Sequence, residues 1–177
     1  MPNRRVAIQQ LLFICAGTVL LPACLQNNEK ASILLKKISI SADQEKMLAE
    51  LAETILPKTD SPGAKDLAAH LFALKMVDDC FPKTNQEKFE QGLRDFEKSA
   101  KDKSGKSFAD CNAEQKNAIV ADLDGRKNDN GNLSFFYQSL KRLTIQAYST
   151  SQFYLTDIRG YKMIPGKFQG CVPLKAA

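Results

Sequence analysis

Apolar residues return at intervals of three and four along several stretches of this chain, and nowhere do they alternate with polar ones over the length of a strand. That spacing confines each stretch to an amphipathic helix, because only a repeat near 3.6 residues gathers such side chains on one face. Ser41 and Gln44 form a capping-box pattern ahead of Met47, Leu48, Leu51 and Ile55, and Pro57 stops the run. Asp60-Ser61-Pro62-Gly63 is turn chemistry, and from Ala64 the residues Leu67, Leu71, Leu74 and Val77 predict a second helix ending near Phe81-Pro82. Thr84 with Glu87 reads as another capping box, opening a third helix whose narrow stripe is Phe89, Leu93 and Phe96 and which breaks at Gly105. Asn112 with Gln115 starts a fourth helix through Ile119, Val120 and Leu123, and Gly125 to Asn132 is a polar turn. Leu133 to Tyr148 is the most apolar stretch; Phe135, Phe136, Leu140, Leu143, Ile145 and Ala147 cover more than one stripe and predict the central helix. The expected fold is all-α, an irregular bundle of about five helices over residues 41–149 with an extended tail over 150–177.

The first residues read as an address rather than as part of that bundle. Arg4 and Arg5 precede the apolar stretch Val6 to Leu21, which runs into Leu21-Pro22-Ala23-Cys24. A basic start, an apolar stretch short for a spanning helix, and a small residue before a cysteine describe an export signal, expected to be of the twin-arginine type with the general secretory route as the alternative. Leu21 to Cys24 resembles a bacterial lipobox, in which Cys24 becomes the acylated first residue of a mature lipoprotein. Residues 1–23 are therefore expected to be a signal peptide and 24–40 a lipid-anchored tether, with Ile33-Leu34-Leu35 docking on the body. The expected location is the periplasm, on a membrane surface held through acyl chains.

Charge and cysteine use depend on that processing. The full chain of 177 residues has a formal charge of +5; without Arg4 and Arg5 it carries 23 basic against 20 acidic residues, +3. Lys and Arg are interleaved with Asp and Glu, so no nucleic-acid footprint is present. Beyond Cys24 stand Cys80, Cys111 and Cys171, of which two can pair in an oxidising compartment; three pairings, or three reduced thiols, all fit.

Residue types limit the chemistry. His70 is the single histidine, which excludes a His-built metal cage and leaves one imidazole for any nucleophile-base pair. It is expected to be hydrogen-bonded or exposed, with Asp66 and Lys75 as candidate neighbours by spacing. Asp78 and Asp79 are adjacent and point about 100 degrees apart on a helix, so they read as a solvated helix end. Asp122, Asp124 and Asp129 lack the glutamate that completes a calcium loop. No catalytic, cofactor-binding or metal residue is assigned, and the chain is expected to have no catalytic activity of its own.

Beyond Tyr148 the pattern changes. Gly160, Pro165, Gly166, Gly170 and Pro173 punctuate Tyr161, Met163, Ile164, Phe168, Val172 and Leu174, so large apolar groups sit on a segment that cannot be one helix. They bury either on the chain's own bundle or on another subunit. Arg159, Lys162 and Lys167 add positive charge to it.

The segment Tyr148-Ser149-Thr150-Ser151-Gln152, then Tyr161, then Ile164 through Leu174 (Ile-Pro-Gly-Lys-Phe-Gln-Gly-Cys-Val-Pro-Leu) resembles the C-terminal signature of the gluconate 2-dehydrogenase subunit 3 family. Glu53 through Ala64 resembles that family's first-helix exit and turn, and Met76 to Cys80 the end of its second helix. The resemblance implies a small accessory subunit without a cofactor, whose flavoprotein partner carries FAD and the substrate site and passes electrons to a cytochrome c subunit with haem c. It implies a partner interface at Tyr161, Ile164, Pro165, Phe168, Val172 and Leu174. Cys80 and Cys171 lie in the resembling segments and Cys111 does not, which favours a Cys80 to Cys171 disulfide, with Cys111 as the alternative. The competing expectation is a free-standing periplasmic lipoprotein that binds another envelope partner.

Overall fold

The computed structural model describes residues 31–125, 130–164, 166 and 171. Among them are the helices α1 (Ala42–Ile55), α2 (Ala69–Cys80), α3 (Lys83–Ser104), α4 (Ala113–Gly125) and α5 (Asn132–Ser149). A 3-10 turn, Phe108–Asp110, comes after α3, a π-helical turn, Tyr154–Ile158, comes after α5, and no strand occurs among the described residues. The all-α bundle is as expected. Arg4, Arg5 and Cys24 lie outside the described residues, as do Pro165, Phe168, Val172 and Leu174.

Local chemistry sets most of these boundaries. In α1 the Gln44 amide donates to Ser41 Oγ at 3.2 Å and the Ser41 amide to Gln44 Oε1 at 3.1 Å, closing the capping box. The same reciprocal pair opens α4, where the Gln115 amide donates to Asn112 Oδ1 at 2.8 Å and the Asn112 amide to Gln115 Oε1 at 3.2 Å. The box expected from Thr84 and Glu87 does not form, because α3 already begins at Lys83 behind Pro82, whose side chain offers no cap. Proline fixes its own φ and needs no amide partner, so it starts the helix before Thr84 is reached. Gly105 ends α3 in the left-handed conformation at φ 72°, with Lys101 and Lys103 in the last turn facing the negative end of the helix dipole.

α5 lies at the centre, packed on α3 along one side and α2 along the other. Phe136, Tyr137, Leu140 and Leu143 are buried; Phe136 stacks at 5.0 Å from Phe89 and 5.7 Å from Phe96, and Phe96 meets Phe108 at 5.2 Å. These tilted ring contacts join α3, α5 and the 3-10 turn in one aromatic core. Gly92 makes the α3–α5 approach possible: a Cβ there would overlap the Asn132 carbonyl and sit 2.5 Å from Phe136 Cβ. Ile145, expected to pack inward, is instead 48 % exposed, since the inward face of α5 at this level belongs to Leu143, Thr144 and Ala147.

The helix expected from Ala64 begins only at Ala69. Residues 64–68 form a turn that ends on Ala68 in the left-handed region at φ 49°. Non-glycine residues occupy that region at a cost, so the surroundings must hold it there.

Asp78 overturns the expectation of a solvated helix end. Asp79 is exposed, but Asp78 is buried, and its carboxylate accepts from the amides of Lys36 (3.1 and 3.0 Å), Lys37 (2.6 Å) and Ile38 (3.1 Å). Ile38 and Ile40 are buried with it, while Ile33 and Leu35 pack half-buried against the core. Residues 31–40 thus lie on the bundle. Gln86, also buried, completes the joint by donating Nε2 to the carbonyls of Val77 at 3.1 Å and Asp78 at 2.8 Å, partnering the end of α2. Burial pushes the Asp78 carboxyl up, but the amides of Lys36, Lys37 and Ile38, with Lys75 nearby, hold it below its ordinary value.

Both the buried acid and the helix contact carry consequences for stability. Asp78→Asn presents an amide donor to backbone donors and should cost about 2–4 kcal/mol at pH 7, read by urea unfolding. Because the folded carboxyl titrates below the unfolded one, its stabilisation is present above the unfolded value and is lost as pH falls through the folded one; the deficit of the variant should therefore shrink in acid. Gly92→Ala must push α3 off α5 and should cost roughly 2 kcal/mol or more, with a parallel fall in Tm.

Candidate partner interface

The two ends of α2 are fixed differently. At its N-terminal end Ala69 packs with Ala52, Ala64 and Ala147, with Leu56 and Phe72 around them, so the exit of α5 meets the loop over residues 57–68. Small side chains there let three segments approach closely.

Glu53 shapes that loop. Its Oε1 accepts from the Lys58 amide and its Oε2 from the Lys65 amide, both at 2.9 Å. Gly63 passes so close that a Cβ would stand 2.5 Å from Glu53 Oε1 and 2.8 Å from the Lys58 amide. Next to it, Glu50 bridges Lys65 at 2.6 Å and Lys116 at 2.9 Å, tying the loop to α4. Burial pushes the Glu50 carboxyl up, and hydrogen bonds from Lys116 and Lys65 outweigh it, leaving it below the usual carboxylate range. Lys58 pairs with Asp66 at 3.0 Å on the exposed side.

The exit of α5 is built from hydroxyls. Thr150 Oγ1 donates to the Gln146 carbonyl at 2.8 Å and Ser151 Oγ to the Tyr148 carbonyl at 2.7 Å, satisfying the last turn. Ser151 Oγ then accepts from the Tyr154 amide at 3.2 Å, starting a new helical turn. Residues 152–158 are therefore helical, where the sequence pattern implies an irregular tail from residue 150 onward. Tyr148 stands 5.7 Å from Tyr154 and 6.4 Å from Phe153, fixing the turn on α5. Gly160, at φ 63°, then redirects the chain, and the Tyr161 amide donates to the Leu155 carbonyl at 2.8 Å.

From the π turn onward the chain presents an apolar row that no element among the described residues covers. Ile158 is 59 % exposed, Tyr161 58 %, Met163 85 % and Ile164 83 %, with the exposed Arg159 and Lys162 between them. Tyr161 and Ile164 are also among the residues expected at an interface from the sequence. Ile158 and Met163 are additions from the structure; Met163 lies in the same Gly/Pro-bounded apolar run, whereas Ile158 becomes part of the row only because the π turn carries it there.

Other expected features fall elsewhere. Cys80 and Cys171 are exposed, Cys111 is buried with Sγ donating to the Ser107 carbonyl at 3.4 Å, and none of the three is bridged. His70 is half-buried, with Nδ1 buried and without a hydrogen-bond partner, contrary to expectation; Asp66 is taken by Lys58 and Lys75 by Asp79. Burial holds the imidazole below its ordinary pKa. Asp122 pairs with Lys103 at 2.6 Å and Asp124 with Lys141, and Asp129 lies outside the described residues. Among the described residues no group of three His, Cys, Asp or Glu is placed to hold a metal, and no helix is long and apolar enough to cross a membrane.

The family model described as gluconate 2-dehydrogenase subunit 3 matches residues 42–166. The chain belongs to the gluconate 2-dehydrogenase subunit 3 family. No curated protein and no solved structure matches it. The family's name is that of one subunit of a multi-subunit gluconate dehydrogenase. Its match takes in the Glu53 loop, Asp78 and the apolar row from Ile158 to Ile164, and begins after the 31–40 segment that Asp78 holds.

Gly63→Ala should dislodge the Glu53 carboxylate from the loop, costing roughly 1–3 kcal/mol. Limited proteolysis checks it: cleavage after Lys58 or Lys65 should speed up in the variant and stay slow in the parent.

Proposed function

We propose that this chain is the non-catalytic small subunit of a periplasmic, flavin-dependent gluconate or sugar dehydrogenase, assisting the export, assembly or stability of its flavoprotein partner. The observation that carries the reading is the exposed row Ile158, Tyr161, Met163 and Ile164, inside the segment matched to a subunit family. An apolar row of this size is a contact surface awaiting a partner, since each such side chain gains about 1.5–3 kcal/mol on full burial. Arg159 and Lys162 between them supply the polar rim that interfaces of assembled subunits carry.

In this reading the chemistry belongs to the partner: FAD and the substrate site in the large subunit, and haem c in a cytochrome c subunit that takes the electrons. A flavoprotein loaded with its cofactor before export must cross the membrane folded, and the twin arginines Arg4 and Arg5 provide the signal for that route. Acylation at Cys24 then holds the assembly at the membrane surface.

Co-expression with a flavoprotein oxidoreductase from a neighbouring reading frame of the same genome, followed by purification through the small subunit, tests the proposal. The flavoprotein should co-purify, and Tyr161→Ser with Met163→Ser and Ile164→Ser should weaken association at least ~100-fold while leaving Tm unchanged, because these side chains touch little of their own bundle. Unchanged affinity in that variant overturns the interface. A stable monomer recovered without any flavoprotein overturns the complex and leaves the free-standing lipoprotein.

A further inference from the structure

The segment that Asp78 holds also decides where the anchor must leave the domain. Its first turn is pinned, with the Ser32 amide and hydroxyl on the Glu45 carboxylate at 2.5 and 2.6 Å and the Ala31 amide on the Ile40 carbonyl at 3.1 Å. Between Cys24 and Ala31 the chain spans at most roughly 25 Å when fully extended. A domain of this size is roughly 40 Å across, so a lipid on Cys24 brings only the faces next to Ala31 to the bilayer.

The face beside Ala31 has the character a bilayer surface takes. Leu34 projects from it, 78 % exposed, while Ile33 and Leu35 on either side are turned into the core. Lys36 and Lys37 are exposed beside it, with their amides committed to Asp78. The acids around them are engaged: Glu45 by Ser32, Glu90 by the Ser39 amide at 2.8 Å, Asp79 by Lys75 at 3.1 Å, and Asp78 by the three backbone amides. These bonds fix the carboxylates in place while Lys36 and Lys37, the latter also donating Nζ to the Asp79 carbonyl at 3.4 Å, are the cations the segment turns outward toward anionic headgroups, with one aliphatic side chain placed to enter the interface.

We infer that the face formed by residues 31–40 lies against the bilayer, with Leu34 in the headgroup–acyl boundary and Lys36 and Lys37 on anionic lipid. The inference rests on acylation of Cys24. It also orients the assembly: Lys36 to Ile38 sit at the C-terminal end of α2, and the α5 exit packs on Ala69 at the other end, roughly 13 Å along the helix. The interface tail is then presented away from the membrane.

The chain has no tryptophan, so Leu34→Trp introduces a single reporter. The full-length lipidated protein carrying it is reconstituted in vesicles of phosphatidylethanolamine and phosphatidylglycerol with brominated acyl chains, with Lys106→Trp at the exposed end of α3 as the reference. Leu34→Trp should be quenched at least two-fold more than Lys106→Trp, and adding Lys36→Glu with Lys37→Glu should abolish the difference while the lipid still holds the protein on the vesicles. Equal quenching at the two positions in protein that sediments with the vesicles overturns the orientation with the anchor intact. Protein that fails to sediment at all overturns the anchor, and the inference with it.

Discussion

A carboxylate shut away from water must find donors, and Asp78 finds them on a segment about forty residues upstream. The backbone of Lys36, Lys37 and Ile38 turns its amides toward one side chain, so a single ionised group fixes the path of the chain before α1. Ile38 and Ile40 can then bury only in the register that this contact imposes. Gln86 does the complementary work on the carbonyls at the end of α2, so the α2–α3 corner and the N-terminal segment are held through the same few atoms. Because the amides come from the backbone, the side chains of Lys36 and Lys37 still face outward, with Lys37 Nζ reaching the Asp79 carbonyl at 3.4 Å.

Glu53 solves the same problem at the other end of the bundle. There the loop between α1 and α2 would otherwise expose a run of unpartnered amides, and one carboxylate takes two of them while Gly63 leaves room for it. Asp78 and Glu53 are thus structural acids, each organising irregular backbone that helix propensity cannot specify. Between them α5 is clamped by Gly92 on one side and the alanine cluster on the other, and its exit is directed by Thr150 and Ser151 into the π turn.

Elements governed by local chemistry are legible in the sequence. The Ser41 and Asn112 boxes are contacts between residues three apart, and both form. The Thr84 box yields to another local rule, the preference of proline for a helix start, which Pro82 displays in the sequence itself. The start of α2 and the burial of Asp78 are not legible, since each depends on groups brought in from elsewhere: Glu53 for the loop, and the 36–38 amides for the acid. Spacing correctly keeps Asp78 and Asp79 from acting as a pair, but it carries no information on which one meets donors. Ile145 misleads for a related reason, because apolar character alone does not say which side of a crowded helix its neighbours occupy. In the candidate interface, glycine and proline mark Tyr161 and Ile164 as belonging to a segment outside the helices; that they stay uncovered is a property of the folded chain.

The division of the molecule depends on these two acids. In the proposed function the subunit joins a membrane to a partner, and that task needs two surfaces held in a fixed relation, or the partner is merely tethered and not placed. Here α2 links the 31–40 segment, bonded at its C-terminal end, to the α5 exit, packed on its N-terminal end. The 31–40 segment is irregular and held by Asp78 and Glu45, and the tail leaves the π turn that Tyr148 and Ser151 fix on α5, so the outward residues, Leu34 and the lysines at one end and Ile158 to Ile164 at the other, make few of the contacts that hold the fold.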